Sequence, residues 1–197
     1  SAASDVYKRQ LMVLCTLSVA FPLSAKAVRG LIDAVSQLAA SSAKPAVARA
    51  IVAACISMCA SPDDVDDPLS YVATGRVVEE SHRLLSESTV RALVQLPEFG
   101  AQIARALRTH DIEPFMSQLL GSLASDVSFA PARSMLESVL DDDALPRVLS
   151  LRTCVILMLA PHDEAWDVRI ALLARLRERH PSILDAVSYT HLTLPTI

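Results

Sequence analysis

Glycine is scarce in this chain, with four residues, Gly30, Gly75, Gly100 and Gly121, among 197. No Asn-Gly or Asp-Gly pair is present to close a tight hairpin, and no stretch alternates apolar and polar with period two. Together these absences exclude an all-β fold. They also leave no phosphate-cradling glycine loop and no nucleophile elbow, and no helix carries the two-histidine zinc motif. Aromatic residues make up 4% of the chain, which leaves little material for a base-stacking platform. The five histidines, His82, His110, His162, His180 and His191, are dispersed. Ser81-His82 and His162-Asp163 are neighbours in sequence only, whereas a catalytic triad is an arrangement in space.

Cysteine is also sparse: Cys15, Cys55, Cys59 and Cys154. Cys55 and Cys59 stand four apart and share one helix face, as a metal pair can. No second Cys or His pair answers them, so buried free thiols of a reducing compartment are the better reading. The acidic stretch from Ser61 to Pro68 lacks the glycine and distal glutamate of a calcium loop and reads as a solvated linker. Asp141-Asp142-Asp143 reads as the end of one helix and the opening of the next, in solvent. No metal, cofactor or small-molecule substrate is expected, and no catalytic residue.

The two ends of the chain carry a signature of their own. Ser1 to Gln10, SAASDVYKRQ, and Val187 to Thr196, VSYTHLTLPT, are what the two strands of one transposase-type sequencing adapter encode. Residues 1–10 and 187–197 are therefore expected to be translated adapter, and 11–186 an internal piece of a longer reading frame. This matters for the N-terminus, where Lys8 and Arg9 followed by the apolar run 11–23 imitate a secretory signal. With the two basic residues assigned to the adapter, the signal disappears, and the run itself is too short to cross a bilayer. The apolar stretch 148–160 is equally short and carries Arg152, so no membrane partner is expected. Setting aside Asp5, Lys8 and Arg9 takes one from the 22 acidic and two from the 18 basic residues, leaving 21 and 16, net −5. Overall acidity gives no support for broad nucleic-acid binding through charge.

What the chain has in abundance is helical periodicity, with 52% hydrophobic residues to support a core. After the run 11–23, Ser24 caps a helix whose stripe is Val28, Leu31, Ile32, Val35 and Leu38. Pro45 sits in the first turn of the next, which lines up Val47, Ile51, Cys55 and Met58. Helices are predicted over 69–86, 88–95 and from Pro97-Glu98 to 108. Asp111 caps a helix with Pro114 in its first turn and the stripe Ile112, Phe115, Met116, Leu119, Leu120 and Leu123. A helix after Pro131 carries Met135, Leu136, Val139 and Leu140, and others cover 144–159 and 164–180. The prediction is an all-α chain of about ten amphipathic helices joined by short loops. Several helices are apolar on more than one side, as in stacked helical pairs, which makes it a HEAT-like α-solenoid. Trp166, Leu173 and Leu176 are read as core. The best candidate contact surface is basic: Arg169, Arg175, Arg177 and Arg179, followed by His180, crowd the last long helix and can grip RNA phosphates or a protein partner. Cations near a helix C-terminus also serve its dipole, and Glu178 dilutes the patch.

Four segments, in order, resemble one family, that of U3 small nucleolar RNA-associated protein 10, also called HEAT repeat-containing protein 1. They are the apolar helix from Leu11 to Leu23 followed by that from Val28 to Leu38; Leu96-Pro97-Glu98-Phe99 with Thr109-His110-Asp111-Ile112-Glu113-Pro114-Phe115; Met135-Leu136-Glu137-Ser138-Val139-Leu140; and Leu172-Leu173-Ala174-Arg175-Leu176-Arg177-Glu178-Arg179-His180-Pro181-Ser182-Ile183-Leu184-Asp185. In the last, His180 replaces the aromatic usual in that family, and residues 40–88 match only as helix and loop. The resemblance implies a nucleolar, non-enzymatic scaffold of the small-subunit processome. Its implied partners are other processome proteins and, through the full-length protein, pre-rRNA or the U3 ribonucleoprotein. Its implied role is processing of 18S rRNA, with a link to ribosomal DNA transcription. A different α-solenoid interaction module, in transport or signalling, shares the fold and is separated from it only by function.

A solenoid slice without capping repeats exposes apolar faces at its ends. The expressed piece 11–186 is therefore expected to self-associate; a clean monomer at high concentration in sedimentation contradicts this.

Overall fold

The computed structural model describes residues 2–41, 44–62, 83–125, 128–143 and 166–182. Every regular element among them is a helix: α1 (Ala2–Ala20), α2 (Ala25–Ser41), α3 (Pro45–Cys59), α4 (Glu87–Val94), α5 (Phe99–Thr109), α6 (Glu113–Ser125), α7 (Ala130–Leu140) and α8 (Trp166–Arg179). The expected helix over 69–86 lies outside the described residues except for its last four, and those, 83–86, are not helical: Ser86 is extended, with ψ 159°, because its hydroxyl caps the next helix. The expected helix over 144–159, the acidic linker beyond Pro62, Cys154, and the capping residues His162 and Asp163 lie outside the described residues. α1 begins nine residues before Leu11, so residues 2–10 continue the same helix.

Helix starts follow from local chemistry. The Ser24 hydroxyl accepts from the Ala27 amide at 3.4 Å. Pro45 opens α3, where its missing N–H costs nothing. Ser86 is the N-cap of α4, its hydroxyl accepting from the Thr89 amide at 3.2 Å. This places the start one residue earlier than the periodicity predicts. Asp111 caps α6 by accepting from the Glu113 amide at 3.1 Å. The Leu96-Pro97-Glu98-Phe99 turn works differently. Glu98 takes a left-handed conformation, φ 59°, with no side-chain cap, while Leu96 and Phe99 on either side are buried. Two apolar anchors hold a backbone conformation that a glutamate alone disfavours.

Two pairs of helices run parallel, each with an intervening helix between its members in the chain. α1 and α3 run the same way: the Ser18 and Ser57 hydroxyls bond at 2.9 Å, and Ser61, just past α3, donates to the Phe21 carbonyl at 3.3 Å. α5 and α7 do likewise, with Gly100 near the start of α5 beside Met135 at the middle of α7, and Arg108 near the end of α5 bonded to Asp142 just past α7. α3 is central, packed against α1, α2, α5 and α6. Its Val47, Ala48, Ile51, Val52, Ala54, Cys55, Met58 and Cys59 are all buried. The arrangement is the expected HEAT-like α-solenoid.

The predicted stripes reach the core. All six residues of the α6 stripe and all four of α7 are buried. In α2, Val28, Ile32 and Val35 are buried while Leu31 and Leu38 are half-buried. In α8, Leu172 and Leu176 are buried but Leu173 is only half-buried, so the expected core role passes to its neighbour Leu172. Trp166 opens α8, and its side-chain environment lies outside what is described. α1 is the exception on the surface: it buries Leu11 but exposes Met12, Val13, Leu17 and Val19.

Leu119→Ala is expected to cost about 2–5 kcal/mol, since it empties a fully buried site. Leu17→Ala, on the exposed face of α1, should stay within about 0.5 kcal/mol. Denaturant midpoints of the two variants check the contrast; equal costs would place α1 inside the core.

Candidate functional site

α8 lies parallel to α7, and the two meet along their C-terminal halves. Glu137 and Asp141 stand four apart on α7 and its C-cap, and Arg175 and Arg179 stand four apart on α8, so both pairs face across the same seam. The Arg175 Nε–H donates to Asp141 Oδ1 at 2.7 Å, and a second guanidinium N–H donates to Asp141 Oδ2. Arg175 also lies 3.9 Å from Glu137, and Arg179 lies 3.8 Å from Asp141. On the other side, Arg108 at the end of α5 donates to Asp142 at 3.1 Å. Below these pairs the His180 ring, which is buried, bonds the Leu140 carbonyl through Nε2 at 3.0 Å.

The electrostatics follow from helix ends. Carboxylates at the C-terminus of α7 sit against the negative end of its dipole. Cations from α5 and α8 offset them. The hydrogen bond from Arg175 holds the Asp141 carboxyl below its ordinary range, helped by the charges of Arg175 and Arg179. The same bond raises the Arg175 guanidinium.

Each of the four arginines has a distinct place. Arg169 is 3% exposed, so it lies inside and does not share the outer surface with the others. Its register explains this: it stands three before Leu172 and seven before Leu176, on the stripe that enters the core. Arg175 is half-buried and engaged with α7. Arg179 is exposed and leans on Asp141. Arg177 is exposed, and among the described residues it makes no ion pair. The expected cluster is thus an edge of three arginines, two of them already facing carboxylates. Reading the sequence along α8 alone missed Glu137 and Asp141. The matched spacing of four on both helices was the signal that could have found them.

Other polar groups act as stitches. Asp33 of α2 accepts from Ser86 at 3.1 Å and from Thr89 at 2.5 Å, tying α2 to the start of α4. Gln118 and Ser122 of α6 bind the backbone of Leu84 and Leu85 at 3.0 and 2.9 Å. Cys15, Cys55 and Cys59 are free thiols, and the last two are buried. Burial pushes the Cys55 thiol up to about 12, with nearby Cys15 adding to the effect, and raises Cys59 as well. Such thiols are poor nucleophiles and poor ligands. Among the described residues no three His, Cys, Asp or Glu side chains gather to hold a metal, and no helix is long and apolar enough to cross a membrane.

Comparison with known proteins gives one consistent relationship. The profile of a family described as U3 small nucleolar RNA-associated protein 10 matches residues 2–123. A protein of that name from Mycosarcoma maydis is 29% identical over 209 residues, an alignment that covers 94% of this chain and 9% of that protein. No solved structure matches. The family match covers α1 to α5 and most of α6, including the Leu96 to Phe99 turn and the Asp111 cap, and ends before the arginine edge.

The α7–α8 seam carries a pH dependence of known sign. A carboxyl with a lowered folded pKa stabilises above its unfolded pKa, and that contribution is lost as pH falls through the folded value. Wild type is therefore expected to lose stability in acid, below the ordinary aspartate range, by an increment that Asp141→Asn lacks. Urea midpoints of both proteins between neutral and acid pH test this; parallel acid profiles contradict it.

Proposed function

The chain belongs to the U3 small nucleolar RNA-associated protein 10 family, and on that premise we propose that its helical array is a non-enzymatic scaffold for small-subunit ribosome assembly. In this reading the full-length protein works in the nucleolus as part of the small-subunit processome. It supports processing of pre-rRNA to 18S rRNA by holding other processome proteins and RNA in place. The observation that carries the reading is the family match over most of the chain. The stacked helices agree with it, because a solenoid presents a long surface for partners without providing a reaction centre. The polar groups described above spend their hydrogen bonds on joining helices, which fits a scaffold.

Residues 11–186 are the functional unit in this proposal, and 1–10 and 187–197 are translated adapter. RNA contact is assigned to the exposed edge of α8, to Arg177 and Arg179 with Arg175 beside them. Arg169, being buried, supports the helix from within. The chain spans 9% of the length of the curated relative.

Removing the segment equivalent to residues 11–186 from the full-length gene is expected to cause small-subunit rRNA precursors to accumulate and 18S rRNA to fall. Northern analysis reads both. Normal 18S rRNA with the shortened protein present at wild-type abundance contradicts the proposal.

A further inference from the structure

We infer that Asp141 competes with RNA phosphate for the guanidinium groups of Arg175 and Arg179, so that the arginine edge of α8 is held closed in the free protein. This rests on the proposal that the edge meets RNA. A guanidinium offers two parallel N–H groups, and a carboxylate and a phosphate accept that fork in the same way. At Arg175 the edge formed by Nε and one terminal nitrogen is taken by Asp141. A phosphate can take that edge only by displacing the carboxylate.

Three observations make displacement feasible. First, both partners reach solvent: the Arg175 side chain is 42% exposed and that of Asp141 29%. An ion pair with that much access to water is weakly held, so a polyanion with several phosphates can outcompete it. Second, Asp141 sits at the C-cap of α7, where the helix dipole disfavours a carboxylate. Its compensating cations come from α8, so it is a negative charge placed against the arginines at the expense of its own helix. Third, α8 does not depend on this pair to stay docked. Leu172 and Leu176 are buried, and His180 bonds Leu140 independently. The pair can open while the helices remain together.

With Asp141 in place, Arg177 is the one cation of the edge not engaged by α7. Displacement adds Arg175 and Arg179 to it. Binding should then depend on salt through the number of phosphates contacted, about 0.7 in the log–log slope for each on single-stranded RNA.

The test is fluorescence anisotropy of the chain with a labelled oligouridylate over a range of salt concentrations. Asp141→Asn, which keeps the shape and removes the charge, is expected to bind about 2- to 5-fold more tightly, the worth of an exposed ion pair. Its salt slope should stay within about 0.7 of the wild-type slope, because the same phosphates are held once the carboxylate is displaced. Adding Arg175→Ala to Asp141→Asn should cancel most of the gain. A second measurement needs no substitution: in wild type, the NMR signal of the Arg175 Nε–H should shift as the oligouridylate is added. If wild type binds but Asp141→Asn matches it in affinity, and the Nε–H signal stays put, the inference is overturned and Asp141 is a brace between helices. In that case the assignment of RNA contact survives. If neither protein binds, both fall.

Discussion

The structure depends on burying α3 from several directions at once. A helix with neighbours on most of its circumference has little room for a polar face, and α3 accordingly exposes only a narrow edge, Pro45, Arg49 and Ala53. Its buried set includes Ala48 and Ala54, whose small side chains let neighbouring helices approach closely, beside Ile51, Val52 and Met58, which fill the space between. The exclusion of water that makes this burial favourable also silences its chemistry. Cys55 and Cys59 are spaced like a metal pair, yet the surroundings that stabilise α3 penalise their thiolates.

Around that centre, polar side chains decide how the helices register. Apolar contact is indifferent to small slides along a helix, whereas a hydrogen bond between named atoms is not. Ser57 and Ser61 fix α3 against the end of α1, Asp33 fixes α2 against the cap of α4, and Gln118 and Ser122 fix α6 against the strand of backbone before α4. The charged seam between α7 and α8 belongs to this set but differs in exposure. Its members remain partly in water, as the proposed competition with an outside anion requires.

Much of this was legible in the sequence where periodicity and caps coincide. The α6 stripe, opened by Asp111 and Pro114, and the α7 stripe after Pro131 are buried at every predicted position. The turn at Leu96 to Phe99 was readable as a helix start, but not as a left-handed glutamate, because that conformation is imposed by the anchors on either side. The proposed contact edge was the least legible. Arg169 counts as a surface cation in composition, yet its helical phase carries it into the core. Arg175 counts as free until α7 supplies Asp141. Both depend on which helix lies alongside, and a single helix's sequence does not contain that information. Leu173 missed the core for a related reason: the seam is set by Leu172 and Leu176, which turns Leu173 toward its rim.

For a scaffold, rigidity is the functional property, and in a stacked array it decreases from the enclosed helices toward the outer ones. Native-state hydrogen exchange followed by mass spectrometry measures that gradient directly. The account predicts the slowest amide exchange in α3 and α6 and markedly faster exchange in α8, which among the described helices packs chiefly on α7. Exchange in α3 as fast as in α8 would contradict the stacked arrangement and, with it, the reading of this chain as a rigid scaffold.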